Sequence, residues 1–326
     1  DRGQGGGHFR QRHDDDYRGD DMSEPSIQLK APAYHRQRLL LFFLEFAGNG
    51  LGKLELQKLL MLYTEEMQLR HYAFVPFRYG CYSFVCADDL DLLEKRGWIA
   101  SEGNQLSLKA TLCMHKWAVT SEERKTVCSW LRQNPKRGDA LIAETYRRYP
   151  YYAIFSEMKE RLLTPSEKSA VERSLDFANN KNETVVFTIG YEGILFEEYL
   201  NKLIRNRVAV LCDVRRNPLS RKFGFSGRML SQVLPKIGIK YVHSPELGIE
   251  SEKRRNLNSR EDYEDLFHEY RQDLPRRTDG LALLKQHIDV EKRVALTCFE
   301  ERPRFCHRHC ITDLLESEFG YRIEHL

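Results

Sequence analysis

Residues 297–310 read TCFEERPRFCHRHC, which puts three cysteines, two histidines and two glutamates into fourteen positions. Three chemistries fit that mixture. A thiol at a helix N-terminus beside Arg and His gives up its proton easily, which makes Cys306, with His307 next to it, a candidate nucleophile and helper. Zinc is the rival, with Cys298, Cys306, His309 and Cys310 as four ligands. The spacing, however, lacks a Cys-x-x-Cys knuckle, and 307 and 308 turn away from the helical turn that carries 306 and 310. No metal and no cofactor are therefore expected. The third reading buries the cysteines and lets Arg308 hold an anion at the helix N-terminus. Nucleophile and anion site both stay open. Glu300, just past an apolar run, is a carboxylate placed for general acid/base work.

Other segments carry residues of the same kind. TIGYEG (188–193) sets Gly190 and Tyr191 at a strand-to-helix turn, where glycines let backbone N–H groups approach an anion. A plain tight turn explains it as well. CDVRRNPLSRKFGFS (212–226) follows Asp213 with Arg215, Arg216, Arg221 and Lys222, and Pro218 stiffens the turn. This suits a phosphate clamp with an oriented acid or base, or else a structural ion-pair network. YVHSPELGIESEKRRN (241–256) offers Tyr241, His243, Glu246 and Gly248. His243 reads first as a structural histidine, and the loop after it as a lid or substrate loop.

These segments are positioned by an alternation of apolar strands and amphipathic helices: VVFTIG, ILFEEYLNKLIRN, VAVLCDV, GRMLSQVLPKIG, IKYVHS, helices across 260–288, RVALTC, ITDLLESEFG and RIEHL. That order predicts an α/β fold, a three-layer sandwich with a mostly parallel sheet, over residues 183–326. Ligands in such sheets bind outside the carboxyl ends of the strands, where all of these segments fall. Ahead of it, residues 34–120 read helix, helix, helix and a small hairpin around a Glu-Gly-Asn turn, the order of a winged helix. Residues 121–182 form a basic helical connector that opens on a partial capping box, Ser121 with Arg124. Its Tyr/Arg stretch, GDALIAETYRRYPYYAIFSEM, reads first as aromatics packed on neighbours and second as a nucleic-acid surface. Residues 1–33 are a flexible leader outside the fold.

Bulk properties narrow the class. At 326 residues the chain has room for two domains, and 41% hydrophobic with 30% charged residues is a globular composition. No apolar run reaches the roughly 18–20 residues of a membrane span, so no membrane partner is expected. Eight cysteines without a secretory signal point to reduced thiols in the cytoplasm. A net charge of +3 neither demands nor excludes nucleic acid.

TIGYEG, DVRRNPLSRKFGFS, GIKYVHSPELG and TCFEERPRFCHRH, in that order over about 184–326, resemble the bacterial and archaeal domain-of-unknown-function family numbered four-eight-eight. The resemblance implies an α/β sandwich with a polar pocket. It places the family pattern on Gly190, Tyr191, Asp213, Arg215, Pro218, Tyr241, Leu247, Gly248, Cys298, Glu300, Cys306, His307 and Arg308. LELQKLLMLYTEEMQLRHYAFVPFRYGCYSFVCADDLDLLEKRGWI and YPYYAIFSEM are similar to the Panacea antitoxin-type modules, although Gly80-Cys81 stands where that family commonly has Gly-Pro. Such modules bind DNA or proteins.

The expected function is a nucleic-acid- or nucleotide-directed hydrolase, cutting an N-glycosidic or phosphoester bond. Asp213, Glu300, Cys306 and His307 are the candidate catalytic residues. Gly190, Tyr191, Arg215, Arg216, Arg221, Tyr241 and Arg308 are the candidate substrate contacts. DNA is the favoured partner, with a protein partner or a second copy of the chain through the N-terminal half. The competing expectation is a non-catalytic, nucleotide-sensing DNA-binding regulator in a toxin–antitoxin or phage-defence setting.

Overall fold

A computed structural model describes residues 31–326 except 49, 110–119, 176–182, 255–256 and 258. The leader up to residue 30, the end of the connector and Arg255 lie outside the described residues.

Five strands form the sheet that positions the site. In chain order the N-terminal elements are α1 (His35–Ala47), β1 (Leu51–Gly52), α2 (Lys53–Glu66), β2 (Val75–Phe77), β3 (Gly80–Tyr82), α3 (Phe84–Lys95), β4 (Ile99–Glu102) and β5 (Gln105–Leu108). The helical connector follows as α4 (Ser121–Gln133), α5 (Gly138–Arg148), α6 (Lys159–Leu162) and α7 (Pro165–Arg173). Then come β6 (Val185–Gly190), α8 (Phe196–Arg205), β7 (Val210–Asp213), α9 (Gly227–Val233), β8 (Lys240–His243), α10 (Arg260–Asp273), α11 (Thr278–Glu291), β9 (Arg293–Cys298), α12 (Arg308–Phe319) and β10 (Arg322–His325).

The last five strands lie in the order β10-β6-β9-β7-β8, with every pairing parallel. β6, β7 and β9 are buried at every residue, which is why they read as unbroken apolar runs rather than alternations. Their side chains divide by parity between two faces. Val185, Phe187, Ile189, Leu211 and Ala295 pack with α8 and α9, whereas Val186, Val210, Cys212, Val294 and Leu296 pack with α10, α11 and α12. Helices thus cover both faces, giving the expected three layers. β6 and β7 lead into helices on one face while β9, between them, leads to α12 on the other. The loop after β9 is therefore flanked on both sides by loops that leave in the opposite direction, and a crevice opens there.

The N-terminal part is mainly helical, with a small antiparallel sheet in which β5 pairs with both β1 and β4. Pro32–Leu326 forms one compact unit. α8 explains the continuity: Phe196, Tyr199, Leu200, Leu203 and Ile204 recur at helical spacing and are buried. One apolar cluster joins them to Val75, Phe84, Ile142, Tyr146 and Tyr151 of the N-terminal elements.

One local expectation is corrected, and the first reading of the Tyr/Arg stretch holds. The α4 cap is Thr120 rather than Ser121: Thr120 Oγ1 accepts from the Glu123 N–H at 3.1 Å, and Glu123 Oε2 accepts from the Thr120 N–H at 2.9 Å. The box is complete one residue earlier than its sequence reading, because Glu rather than Arg stands at its third position. The Tyr/Arg stretch packs inward: Tyr146 is buried and shares a 2.6 Å hydrogen bond with Ser156, and Tyr151 donates to Asn201 Oδ1 at 2.8 Å. Arg147 and Arg148 are paired with Glu167 and Glu66.

Candidate functional site

A cavity of about 430 Å³ opens at the carboxyl ends of β6, β7 and β9, lined by Tyr191, Arg215, Arg216, Arg221, Lys222, Arg254, Cys298 and Phe299 among others. Strand register brings its parts together, since Gly190 pairs with Cys298 and Asp213 pairs with both Thr297 and His243.

Asp213 is fully buried and does not face this cavity as a free acid. Its Oδ1 accepts from the backbone N–H and Nε–H of Arg215, at 3.2 and 2.7 Å. Its Oδ2 accepts from Arg215 Nη2 at 2.5 Å and from the Tyr241 hydroxyl at 2.8 Å. Four donors saturate a carboxylate, so Asp213 orients its neighbours and has no acceptor left for a substrate proton. Arg215 is held on its other side by Nη1, which donates to the Tyr191 hydroxyl at 2.9 Å and the Phe225 carbonyl at 2.8 Å. Burial raises the Tyr241 phenol far above its ordinary value, with the Asp213 charge adding to it. His243 is structural as first read, its Nε2 lying 2.9 Å from the Arg215 carbonyl.

Gly190 serves a close approach rather than an anion. A Cβ built there would lie 1.9 Å from the Glu300 carbonyl oxygen. Tyr191 stacks on Phe225 with ring centroids 4.5 Å apart, and its carbonyl accepts from Lys222 Nζ at 2.6 Å. Arg308 is also buried, donating to the carbonyls of Glu300 and Glu301 at 2.5 and 2.6 Å. It fixes the loop after β9 through its two Nη atoms, while its buried Nε has no hydrogen-bond partner among the described residues. Arg216 and Arg221 are exposed at the cavity rim, so among the expected substrate contacts they are the solvent-facing cations.

Behind the cavity, Cys298, Cys306 and His307 are buried together. Cys298 lines the cavity, whereas Cys306, the expected nucleophile, does not. The Sγ atoms of the two cysteines lie within 4.8 Å of each other. Cys298 is driven well below the ordinary thiol value, first by the neighbouring Cys306 and then by His307 and Arg254. Cys306 is pushed well above it by burial and by Cys298. Glu300 lines an adjoining cleft with Glu192 and Phe305, and its Oε2 lies 3.4 Å from Cys298 Sγ. Burial raises its carboxyl above the ordinary value, and Cys298 adds to the effect. Arg254 reaches in, 2.9 Å from His307 Nδ1 and 3.5 Å from Glu300 Oε1.

Residues 196–315 match the family model of the domain of unknown function DUF488. The DUF488 segment runs from α8 into α12 and holds Asp213, Arg215, Tyr241, Cys298, Glu300, Cys306, His307 and Arg308, while Gly190 and Tyr191 enter the site from β6 just before it. No curated protein and no solved structure is matched by the chain.

Cys298, Arg254 and Lys222 line the cavity without standing among the residues expected there from sequence. Cys298 carried a readable signal, because it ends the central strand of the sheet. Arg254 lies far along a loop, and nothing in its spacing points inward.

Proposed function

We propose that the α/β part is a hydrolase acting on a phosphate-bearing nucleotide or nucleic acid, with phosphoester cleavage as the reaction. The observation that carries this reading is the cavity itself: Arg216, Arg221, Lys222 and Arg254 surround an approach that ends at Cys298, with Glu300 beside it. Guanidinium and ammonium groups suit phosphate oxygens, and they stabilise charge that builds on them during displacement. Glu300 is the carboxylate positioned to take a proton from attacking water. With Asp213 saturated, it cannot partner Glu300 in the two-carboxylate arrangement of glycosidic cleavage, which favours the phosphoester bond. The N-terminal part enters as the recruiting module for DNA, on the strength of its resemblance to Panacea-type winged-helix modules and its helix–hairpin order.

The test uses the full chain against bis-p-nitrophenyl phosphate, mononucleotides, and single- and double-stranded DNA. Glu300→Gln is expected to lower turnover by about 10²–10⁴-fold. Arg221→Ala with Lys222→Ala is expected to raise KM more than it lowers kcat. Tight, salt-sensitive DNA binding with no product would support the regulator instead. Neither binding nor product on any of these probes would defeat the proposal.

A further inference from the structure

The buried cysteine–histidine cluster has the dimensions of a coordination shell. Cys298 Sγ, Cys306 Sγ and His307 Nδ1 all lie within 4.8 Å of one another. His307 Nδ1 is 3.8 Å from Cys298 Sγ and 3.7 Å from Cys306 Sγ. Zinc bound tetrahedrally at about 2.3 Å to sulfur and about 2.0–2.1 Å to nitrogen sets sulfur–nitrogen edges at about 3.5 Å. These separations are long for strong hydrogen bonds and close to tetrahedral edges.

The imidazole is oriented for the same task. His307 Nε2 lies 3.0 Å from the Val214 carbonyl, which can only accept, so Nε2 carries the proton and Nδ1 turns its lone pair to the sulfurs. A backbone carbonyl behind the ring is the usual outer partner of a metal-bound histidine. Tyr270 packs edge-on against the ring at 5.5 Å between centroids, holding its plane. The cluster already attracts a cation: Arg254 Nη2 donates to that same Nδ1 at 2.9 Å.

We propose that Cys298, Cys306 and His307 bind one zinc ion, with the fourth position turned toward the basic cavity and Glu300 at its side. Two thiolates and an imidazole select zinc over magnesium or calcium, which prefer oxygen. Three protein ligands with one open position make a catalytic rather than a structural site, and the ion would lower the pKa of a water bound there. Arg254 gives up Nδ1 to the ion and stays at the cavity wall for substrate. Cys310 lies outside the cluster of ligand atoms, and His309 is engaged elsewhere, its Nε2 lying 2.7 Å from Arg271 Nη2 and its Nδ1 2.6 Å from the Cys306 carbonyl oxygen. His307 takes the place that spacing alone gave to His309. The role of the open position rests on the hydrolase reading; the binding of zinc does not.

The full chain, purified reduced, loaded with zinc chloride and desalted, is assayed for metal by mass spectrometry. About one zinc per chain is expected in the native protein and in Cys310→Ala, whereas Cys298→Ser, Cys306→Ser and His307→Gln should weaken zinc binding by more than about 100-fold. Arg254→Ala should keep its zinc. Because a ligand variant can fail by misfolding, the native chain is also loaded with cobalt(II), which should give thiolate-to-cobalt charge-transfer bands and intense tetrahedral d–d absorption. Absence of retained zinc in the native chain, equal loss in Cys310→Ala and Cys298→Ser, or a weak octahedral cobalt spectrum would overturn the proposal. Zinc retained by a chain that hydrolyses none of the phosphate probes defeats the hydrolase reading alone. Hydrolysis by a zinc-free chain, unchanged by chelator, defeats the catalytic role of the open position and leaves the hydrolase reading standing.

Discussion

Asp213 and Arg215 show what a residue type reveals and what it hides. The sequence placed an acid and several arginines at one strand end, and both belong to the site region. It could not show which arginine of the 215–216 pair turns inward. In extended backbone successive side chains point to opposite sides, and here Arg215 falls inside while Arg216 faces solvent. Once inside, Arg215 needs a buried counter-charge, and Asp213 supplies it with bidentate geometry. Asp213→Ala leaves that guanidinium buried and uncompensated, which should cost about 3–5 kcal/mol in urea unfolding. Arg216→Ala, at the rim, should stay within about 0.5 kcal/mol. A loss below about 1 kcal/mol in Asp213→Ala would mean that the pair does not hold the strand end together. Sulfur followed the same logic. Helix position singled out Cys306, but the cavity is reached from the strand end, where Cys298 stands.

At the scale of elements the sequence was most legible in the sheet. β6 and β9 begin and end at the residues their apolar runs mark, because central parallel strands are buried on both faces and are bounded by the first polar or turn residues. Helix ends were less legible. α4 is capped one residue earlier than read, since a cap depends on which side chain makes a single hydrogen bond. α9 stops short of its apolar pattern, as Pro235 cannot continue the α-helical ladder and the chain tightens to a 3-10 turn over Leu234–Ile237. Least legible was the contact between elements that gives Gly190 its purpose. The loop after β9 folds back over the end of β6, and the Glu192 N–H donates to the Phe299 carbonyl at 2.9 Å. Only a residue without a Cβ fits beneath the Glu300 carbonyl. Gly190→Ala should therefore destabilise the protein by about 1–3 kcal/mol and speed hydrogen exchange in the 299–301 loop. Unchanged exchange there would show that the loop yields without strain.

For the whole molecule the decisive feature is that α8 serves both halves. Its Glu197 is completely buried and accepts from Ser83 Oγ at 3.1 Å and from the Val85 N–H at 2.9 Å, while Phe196 meets Phe84 edge-to-face at 5.3 Å. Asn201 adds a bond from Nδ2 to the Phe74 carbonyl at 2.7 Å. None of this was readable from patterning, because a glutamate on the first turn of a helix looks like an ordinary solvent-facing complement to the helix dipole. Burial raises the Glu197 carboxyl above its ordinary 4.5, with the hydrogen bonds from the N-terminal part working against the shift. A raised carboxyl favours the protonated form in the fold. Its stabilising contribution is thus full below about pH 4.5 and is lost as pH rises through the folded value. Glu197→Gln keeps an acceptor for the Val85 N–H without the charge. Native and variant should match in acid, and the variant should be the more stable at neutral pH. Glu197→Leu, which strands two donors, should cost about 1–3 kcal/mol for each. Every tryptophan lies at or before position 130, so intrinsic fluorescence reports the N-terminal half, and hydrogen exchange of the β6 and β9 amides reports the sheet. Both probes should shift together in each variant, since the apolar cluster they report on is continuous through α8. A shift in fluorescence alone would mean that the two halves unfold independently and that α8 does not join them.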